Sequence, residues 1–254
     1  MTPPTVLTIA GLDPSGGAGI GADLKTATAL KTYGMSVLTT MTVQHPGAVS
    51  MVAPLPATMV RQQLEAILLA MPVGAIKVGL LGNTEIAEIV VELLAEVSAP
   101  IVVDPVRRST SGTTLNQVDD GTLRDLLRIA TIVTPNCDEL AEVLGEMPAP
   151  RWTIENQTAL LHTGGHSDSD PIQDVLWLPD GRHRRWSHPR IATAHTHGSG
   201  CTLSTAIAAG LATGMSTVDA VEQAIQFTTH LISESASGGL VDDNGPLLHF
   251  KHSE

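Results

Sequence analysis

The sequence predicts an α/β fold with a parallel central sheet, and three observations carry that prediction. Short β-branched runs alternate along the chain with segments of helical period, which is the pattern of βαβ units. Hydrophobic residues make up 43% of the chain and charged residues 16%, so there is ample apolar material for a core. Aromatic residues make up only 2%, and a core of Ala, Val, Leu and Ile suits helices packed closely on a parallel sheet.

The 254 residues are within the length that one α/β domain can reach, and no repeat or linker divides them. We therefore expect a single domain over residues 1–254. In the first half we predict strands at residues 6–10, 36–43, 75–79, 101–104 and 132–134, and helices at 22–33, 57–70, 84–96, 119–128 and 137–144. The strands are short β-branched runs, and the helices carry apolar residues at spacings of three and four.

The second half of the chain has a different pattern. Two short strand candidates, 175–178 and 183–186, flank Pro179-Asp180-Gly181, a strong turn signal that predicts a β-hairpin. Two Ala-rich helices are expected after the hairpin, at residues 201–212 and 218–235, with Gly214 ending the first of them.

The charge balance and the cysteines exclude several classes of partner. Fourteen Lys and Arg residues against 26 Asp and Glu give a net charge of -12, the wrong sign for broad contact with nucleic acid or an acidic membrane surface. No apolar run approaches 18 residues and no basic segment opens the chain, so neither membrane insertion nor export is predicted. Cys137 and Cys201 form no CxxC pattern, which favours a reducing cytoplasm over a disulfide framework or a thiolate zinc site.

A glycine-rich loop, residues 11–21, follows the first predicted strand, where ligand sites of open α/β sheets lie. Gly17, Gly19 and Ala22 match the G-x-G-x-x-A dinucleotide fingerprint. That fingerprint also needs an acidic residue about 20 positions later, and no Asp or Glu occurs between Asp23 and Glu65. An NAD site is therefore disfavoured, and a tight strand-to-helix turn is the plain alternative.

A second glycine-rich turn, residues 196–202, opens the helix predicted from residue 201. Free N–H groups at a helix start, reinforced by the helix dipole, bind anions, and glycines let a phosphate come close. The chain has no Gly-Lys dipeptide and no G-x-S-x-G, which excludes a Walker A loop and argues against a hydrolase elbow. Cys201 lies at this helix start, where the dipole is expected to lower the thiol pKa and make it a base or nucleophile. The alternative is a small buried hydrophobe.

Carboxylates follow two further predicted strands. Asp104 ends one strand, and Asn136 and Glu139 follow another, so that they converge at the carboxyl edge of the sheet. Such a set suits Mg²⁺ held partly through water, although Glu139 alone is equally explained as a carboxylate complementing a helix dipole. The ten histidines lack matching cysteine or carboxylate spacing for zinc, and the three arginines at 182, 184 and 185 are expected on a solvated strand face.

Several ordered motifs together resemble the hydroxymethylpyrimidine and phosphomethylpyrimidine kinases of thiamine biosynthesis, members of the ribokinase-like superfamily. The likeness spans most of the chain. The motifs are residues 8–11 (TIAG), 13–19 (DPSGGAG), 22–26 (ADLKT), 77–79 (KVG), 103–106 (VDPV), 134–136 (TPN) with Glu139, and 196–203 (THGSGCTL).

The resemblance implies an α/β/α sandwich with ATP near the C-terminal edge of the sheet. It implies that Gly11, Asp23 and Gln44 bind the pyrimidine, with Asp23 and Gln44 hydrogen-bonding the ring and its amino group. It also implies an anion hole at Gly198, Ser199 and Gly200, with Cys201 as the base. Asn136 and Thr196 are implied to contact the ATP phosphates. Asp104 and Glu139 are implied to organise Mg²⁺.

Three departures from the family pattern carry further expectations. Thr163 stands where the family usually has a phosphate-facing lysine. After Val106 the family commonly continues with Met and small residues, whereas this chain has Arg107 and Arg108, and we hypothesise that one of these arginines replaces the missing charge or binds the substrate's phosphate. The segment between Glu139 and Gly164 is about ten residues shorter than is usual in the family, which predicts a loop at 147–157 in place of a crossover helix. Uncovered apolar surface there predicts a homodimer.

The expected function is ATP- and Mg²⁺-dependent phosphorylation of hydroxymethylpyrimidine phosphate, with the free alcohol as a second candidate acceptor. A pyridoxine-type kinase on the same fold is the nearest alternative, and Gln44 favours the aminopyrimidine over it. Two alternatives come from other classes: a pyrimidine-binding regulatory protein, suggested by Thr163, and a cysteine-dependent acyl enzyme that pairs Cys201 with His197.

Overall fold

The computed structural model describes residues 3–107, 113, 115–166 and 170–252. Its strands are β1 (Thr5–Leu12), β2 (Tyr33–His45), β3 (Ala48–Pro54), β4 (Ala75–Val78), β5 (Ile101–Val103), β6 (Ile132–Val133), β7 (Ala159–His162), β8 (Ile172–Trp177) and β9 (His183–His188). Its helices are α1 (Gly19–Ala29), α2 (Ala57–Ala70), α3 (Thr84–Leu94), α4 (Asp120–Arg128), α5 (Cys137–Leu144), α6 (Ala149–Asn156), α7 (Ser199–Ala212) and α8 (Thr217–Ala236).

Within the described residues the strands form one sheet in the order β3-β2-β1-β4-β5-β6-β7-β8-β9. Strands β2, β1, β4, β5, β6 and β7 run parallel, and β3, β8 and β9 are added antiparallel. Strand β1 lies between β2 and β4, so the strand order reverses direction there. Ligands bind outside the carboxyl ends of the strands at such a point, and both glycine-rich segments lie on that edge.

Helices cover both faces of the sheet and divide the core in two. On one face, helices α2 to α6 pack on side chains such as Leu7 and Val78. On the other face, α7 and α8 pack on Val6, Val102 and Leu161. Neighbouring residues of a strand point to opposite faces, which is why Val6 and Leu7 belong to different cores. The predicted three-layer α/β/α sandwich is confirmed, and none of the helices in the described ranges is long and apolar enough to cross a membrane.

The predicted strands of the first half and the 175–186 hairpin are confirmed, with shifted ends. The predicted first helix ends at Ala29 rather than at Tyr33, because Tyr33 begins the long strand β2. Strand β3 was not predicted; it is largely exposed and lacks the buried apolar run that marked the other strands. Strand β7 was also not predicted.

The prediction of a loop over residues 147–157 is wrong. Helix α6 occupies most of this segment, with Pro148 as its N-cap and Pro150 within its first turn, where proline is tolerated. Trp152 of this helix is buried in the same core as helices α2 to α5. Burial of this large aromatic side chain stabilises a helix of only eight residues. The sheet face that the loop was expected to leave uncovered is therefore covered here.

Candidate active site

The loop between β1 and α1, residues 13–18, is called the first loop below, and the carboxylate of Asp13 organises it. This carboxylate accepts the backbone N–H groups of Ser15 and Ala18, and also the Ser15 hydroxyl. It further contacts His197 Nε2 at 2.8 Å. Burial acts to raise the pKa of Asp13, but the hydrogen bonds from His197 and Ser15 outweigh it and hold the pKa well below its usual range. Asp13 is thus an anionic hub that fixes the conformation of residues 13–18.

The turn before α7, residues 196–201, is called the anion turn below, and it presents backbone N–H groups that have no acceptor in the part of the chain that the structure describes. Gly198 is the N-cap and has a left-handed conformation, with φ +80°. The Ser199 N–H donates to Thr196 O, but among the described residues no acceptor lies within reach of the N–H groups of Gly200 and Cys201. Both residues line the central cavity. Unpartnered N–H groups at the positive end of a helix dipole favour an anion there.

A cavity of about 890 Å³ lies at the carboxyl edge of the sheet and joins the two glycine-rich segments. This size is within the range of small-molecule and cofactor sites. Most of the residues predicted for the site line it: Gly11, Gln44, Asp104, Arg107, Asn136, Glu139, Thr196, Gly198, Ser199, Gly200 and Cys201. The topology therefore gathers positions separated by up to 190 residues, from Gly11 to Cys201, around one space. Arg108 lies outside the described residues.

The structure places Asp23 below the cavity rather than at its wall, and its predicted contact with the pyrimidine stays a prediction. Its side chain is completely buried and does not line the cavity. Both carboxylate oxygens lie within 3.1 Å of Lys77 Nζ, and Thr8 and Thr205 donate their hydroxyls to the same carboxylate. Because Asp23 is on the inner face of α1, its carboxylate lies under the cavity floor, where its hydrogen-bonding capacity is taken up by protein.

Lys77 is a residue of the site that the sequence indicated only as part of a motif. Its side chain is completely buried, yet it lines the cavity from strand β4. Burial opposes the charge of Lys77, but Asp23, Cys201 and Asp104 outweigh burial and raise its pKa. A Cβ at Gly79 would lie 2.8 Å from Nζ, so glycine at that position makes room for the ammonium group. A cation is thus fixed beside the predicted base.

The expectation of a lowered Cys201 pKa is wrong. Burial, together with the carboxylates of Asp23 and Asp104, raises the pKa of the Cys201 thiol to about 12, although Lys77 and the Gly19 N–H oppose this rise. Desolvation of a thiolate outweighs the helix dipole here. Cys201 is therefore a neutral thiol near pH 7. The acyl-enzyme alternative also loses support, because His197 Nε2 contacts Asp13 rather than Cys201.

Asp104 and Glu139 form a pair of buried carboxyl groups at the cavity wall. Burial and mutual repulsion raise the pKa of Glu139 to about 8, and burial together with Asp23 raises that of Asp104. Asn136 caps α5 in a capping box with Glu139, which holds the Glu139 carboxylate at this place. A Cβ on Gly200 would be 4.0 Å from Asp104 Oδ2, so the pair borders the anion turn.

The chemistry of this pair fits Mg²⁺. In the described parts of the chain no cluster of three or more His, Cys, Asp or Glu is arranged as a metal cage. Mg²⁺ does not need such a cage, since it keeps several waters and takes one or two protein carboxylates together with phosphate oxygens. A divalent cation would also offset the charge of Asp104, which contributes to the raised pKa of Glu139.

The cavity wall near Thr163 carries two further basic side chains, His188 and Arg190. Thr163 pairs with Asn136 through a parallel bridge. His188 Nε2 lies 3.0 Å from Asp174 Oδ2, and this contact raises the pKa of His188. Arg190 Nη1 donates to Gly165 O. His188 and Arg190 both line the cavity, and sequence analysis missed them because they belong to the exposed end of the hairpin.

Arg107 lines the cavity as well, but acidic side chains hold its guanidinium. Arg107 Nε lies 2.8 Å from Glu142 and Nη2 lies 3.1 Å from Asp120. Nη1 donates to Val118 O. Arg107 is thus at the rim with its charge already compensated, and its role toward a phosphate stays a prediction.

The fold and the anion turn together define a ribokinase-like phosphotransferase, and the comparisons with known proteins narrow this class. A family model described as phosphomethylpyrimidine kinase matches residues 13–247. The hydroxymethylpyrimidine/phosphomethylpyrimidine kinase of Streptomyces coelicolor is 40% identical over 263 aligned positions, covering 98% of this chain and 95% of the relative. The chain belongs to the phosphomethylpyrimidine kinase family, as its motifs predicted.

Two solved structures are similar over nearly the whole fold. The phosphomethylpyrimidine kinase of Clostridium difficile is 34% identical with a TM-score of 0.77, covering 90% of this chain and 99% of that one. The pyridoxal kinase of Staphylococcus aureus, solved in complex with AMP-PCP and pyridoxal, is 32% identical with a TM-score of 0.83, covering 98% and 94%.

Proposed function

We propose that this protein transfers the γ-phosphoryl group of ATP to 4-amino-5-hydroxymethyl-2-methylpyrimidine phosphate in thiamine biosynthesis, with the free hydroxymethylpyrimidine as a second acceptor. The observation that carries the proposal is the pair of unpartnered N–H groups at Gly200 and Cys201, which border the cavity that Gln44 also lines. The identity of the substrate as a pyrimidine and the type of reaction are inferred from membership of the family. The proposal places the enzyme in a reducing cytoplasm, in keeping with two free cysteines.

Positioning and charge neutralisation supply most of the acceleration in phosphoryl transfer. An acceptor oxygen attacks the γ-phosphorus, the bond from that phosphorus to the β–γ bridging oxygen breaks, and ADP leaves with the electron pair. In the proposal, Gly200 and Cys201 donate N–H groups to the migrating group, and Lys77 supplies a fixed positive charge behind it. Bound at Asp104 and Glu139, Mg²⁺ would neutralise phosphate charge.

The two acceptors make different demands on the protein. A phosphate monoester is already ionised near neutral pH, so its oxygen attacks without a protein base. The hydroxymethyl group must lose a proton, and the neutral Cys201 thiol is not ready to take it at pH 7. We therefore propose that phosphorylation of the phosphorylated pyrimidine is the faster reaction of the two.

A coupled ADP-release assay with product identification tests the proposal. The acceptors are hydroxymethylpyrimidine, its phosphate and pyridoxal, each with ATP and Mg²⁺. Turnover with the phosphorylated pyrimidine is the expected result. Turnover with pyridoxal alone would favour a pyridoxal kinase, a candidate that rests on the similarity to the Staphylococcus aureus enzyme. Binding of a pyrimidine without ADP release from any acceptor would favour a regulatory binding protein.

A homodimer also remains a proposal, with a different surface as its support. Helix α6 covers the face from which the dimer was first expected. The exposed large apolar side chains on β2 and β3 include Met41, Val43 and Met51, which are 49%, 55% and 58% exposed. Apolar side chains gathered in this way are typical of an interface. A dimer in analytical sedimentation is expected, and a monomer at all concentrations would contradict it.

A further inference from the structure

Asp13 and His197 join the two glycine-rich segments of the cavity by a direct side-chain contact. His197 Nε2 lies 2.8 Å from Asp13 Oδ2, across 184 positions of sequence. The Asp13 side chain is 1% exposed and that of His197 is 11% exposed. A buried hydrogen bond to a charged group is stronger than a neutral one and expensive to leave unmade. The contact is therefore well placed to fix one segment against the other.

The glycines on both sides of this contact show that the two segments touch backbone to backbone. A Cβ at Gly17 would lie 2.5 Å from His197 Cδ2, and a Cβ at Gly198 would lie 1.8 Å from Gly17 O. Neither position has space for a side chain. The first loop thus forms the support on which the anion turn rests, and His197 immediately precedes the N-cap of α7.

The other partners of the pair show which parts of the site depend on it. The Asp13 carboxylate also accepts the Ser15 and Ala18 N–H groups, so it holds the conformation of the first loop. The His197 N–H donates to Gly245 O, which holds the turn from its other side. A shift of either side chain would move the N–H groups of Gly200 and Cys201 relative to the first loop.

We propose that Asp13 and His197 are a positioning pair that aims the N-terminus of α7 into the cavity, toward the acceptor site that Gly11 and Gln44 line. This inference rests on the proposed kinase function. The pair acts through the anion turn, since the Asp13 carboxylate and His197 Nε2 are used for each other. Misplacement of reacting groups by about 1 Å can cost on the order of 10²-fold in rate. Loss of the pair should therefore lower kcat, while KM for the pyrimidine changes little.

Four variants test the pairing: His197→Ala, Asp13→Asn, the double variant, and His197→Gln, whose terminal amide retains a donor toward Asp13. His197→Ala and Asp13→Asn are each expected to lower kcat by about 10 to 10²-fold. The two single substitutions remove the same hydrogen bond. The kcat of the double variant should therefore be no lower than that of the slower single variant. His197→Gln should recover most of the lost kcat. Thermal melting and pyrimidine binding by calorimetry show whether each variant is folded.

A matched control is His183→Ala, because His183 is exposed on β9 and does not line the cavity. Its kcat is expected to stay close to that of the natural sequence. Additive losses in the double variant, or no recovery in a folded His197→Gln, would overturn the positioning role while leaving the kinase function intact. Failure of the unsubstituted protein to phosphorylate any pyrimidine would instead overturn the proposed function. If Asp13→Asn does not fold, the comparison of His197→Ala with His197→Gln still decides.

Discussion

Lys77 Nζ lies 3.0 Å from Asp23 Oδ2 beneath the floor of the cavity, and both side chains are fully buried. Thr8 and Thr205 donate hydroxyls to the same carboxylate. A buried ion pair of this kind adds little stability over apolar residues, but leaving one partner uncompensated is costly. Lys77 also faces Cys201 and Asp104, so the pair links the stability of the core to the charge of the active site.

Removal of the Lys77 ammonium should destabilise the protein strongly. Lys77→Met leaves the Asp23 carboxylate buried without its partner, and the free energy of unfolding is expected to fall by about 3–5 kcal/mol. Denaturant titration measures this. Arg61→Ala is the control, because Arg61 pairs with Glu92 and Glu65 at the surface, where screening by water makes the loss much smaller. Equal losses for the two variants would contradict the structural role of the buried pair.

The two acceptors should differ in how their rates depend on pH. Since the pKa of the Cys201 thiol is raised to about 12, the thiolate fraction grows about tenfold for each pH unit below that value. With the free alcohol as acceptor, kcat should rise with pH over the range about 7 to 9 if Cys201 is the base, and Cys201→Ala should abolish the rise and slow the reaction by about 10² to 10⁴. With the phosphorylated acceptor, kcat should stay nearly flat.

The control for this experiment is Cys137→Ser, because Cys137 is the other free thiol and contacts His162 rather than the anion turn. It should leave both pH profiles unchanged. A rate with the alcohol that does not depend on pH, or the same rise in Cys201→Ala, would remove Cys201 as the base and leave it as a packing residue.

The Mg²⁺ requirement should also depend on pH. The pKa of Glu139 is raised to about 8 by burial and by Asp104, so below that pH the group is largely protonated and must lose its proton when the metal binds. The Mg²⁺ concentration for half-maximal activity should therefore fall as pH rises toward 8 and level off above it. Glu139→Gln should raise this concentration and remove its dependence on pH.

Glu146→Gln makes the same chemical change on an exposed residue that does not line the cavity, and it should behave like the natural sequence. An unchanged Mg²⁺ requirement in Glu139→Gln would show that the metal is held elsewhere. Metal binding measured by calorimetry with Mg²⁺ alone separates an effect on the metal from an effect on ATP.

Gly198→Ala should lower kcat far more than an alanine does at another position of similar backbone conformation. At φ +80° an alanine costs about 1–2 kcal/mol, and its Cβ would additionally lie 1.8 Å from Gly17 O. The turn would have to move away from the first loop, so kcat should fall by about 10²-fold or more. Gly214→Ala is the matched control, because Gly214 has φ +86° but a Cβ at that position would meet no atom within 4 Å. It should lose stability and keep kcat, and equal kcat losses would contradict the role given to the contact with Gly17.

Charge reversal at Arg107 tests whether the arginine at the cavity rim serves a phosphate. Arg107→Glu should raise KM for ATP or for the phosphorylated pyrimidine, because a positive charge at the rim becomes negative. Arg128→Glu is the control, since Arg128 pairs with Asp125 at the surface and does not line the cavity. Unchanged kinetic constants in Arg107→Glu would contradict this role and turn attention to Arg190, which also lines the cavity.

Local patterns in the sequence were sufficient for the fold class, most of the elements and the two glycine-rich turns. Helical period, β-branched runs and turn residues act over a few positions, so α2 and α5 were predicted at their observed ends. Helix α6 was missed because its two turns are held by burial of Trp152 against the core, a contact that no local pattern reveals. Strand β3 exists because β2 provides an edge for pairing.

The pKa values of the site residues and the contacts between residues distant in sequence were decided by the tertiary structure alone. The sequence placed Cys201 at a helix start, but burial beside Asp104 and Asp23 raises its pKa instead of lowering it. The resemblance assigned Asp23 to the pyrimidine, while packing pairs its carboxylate with Lys77 in the core. The desolvation of a charge and the contact between distant side chains depend on the folded chain around them. A left-handed backbone conformation, by contrast, is permitted locally by glycine, because it has no Cβ.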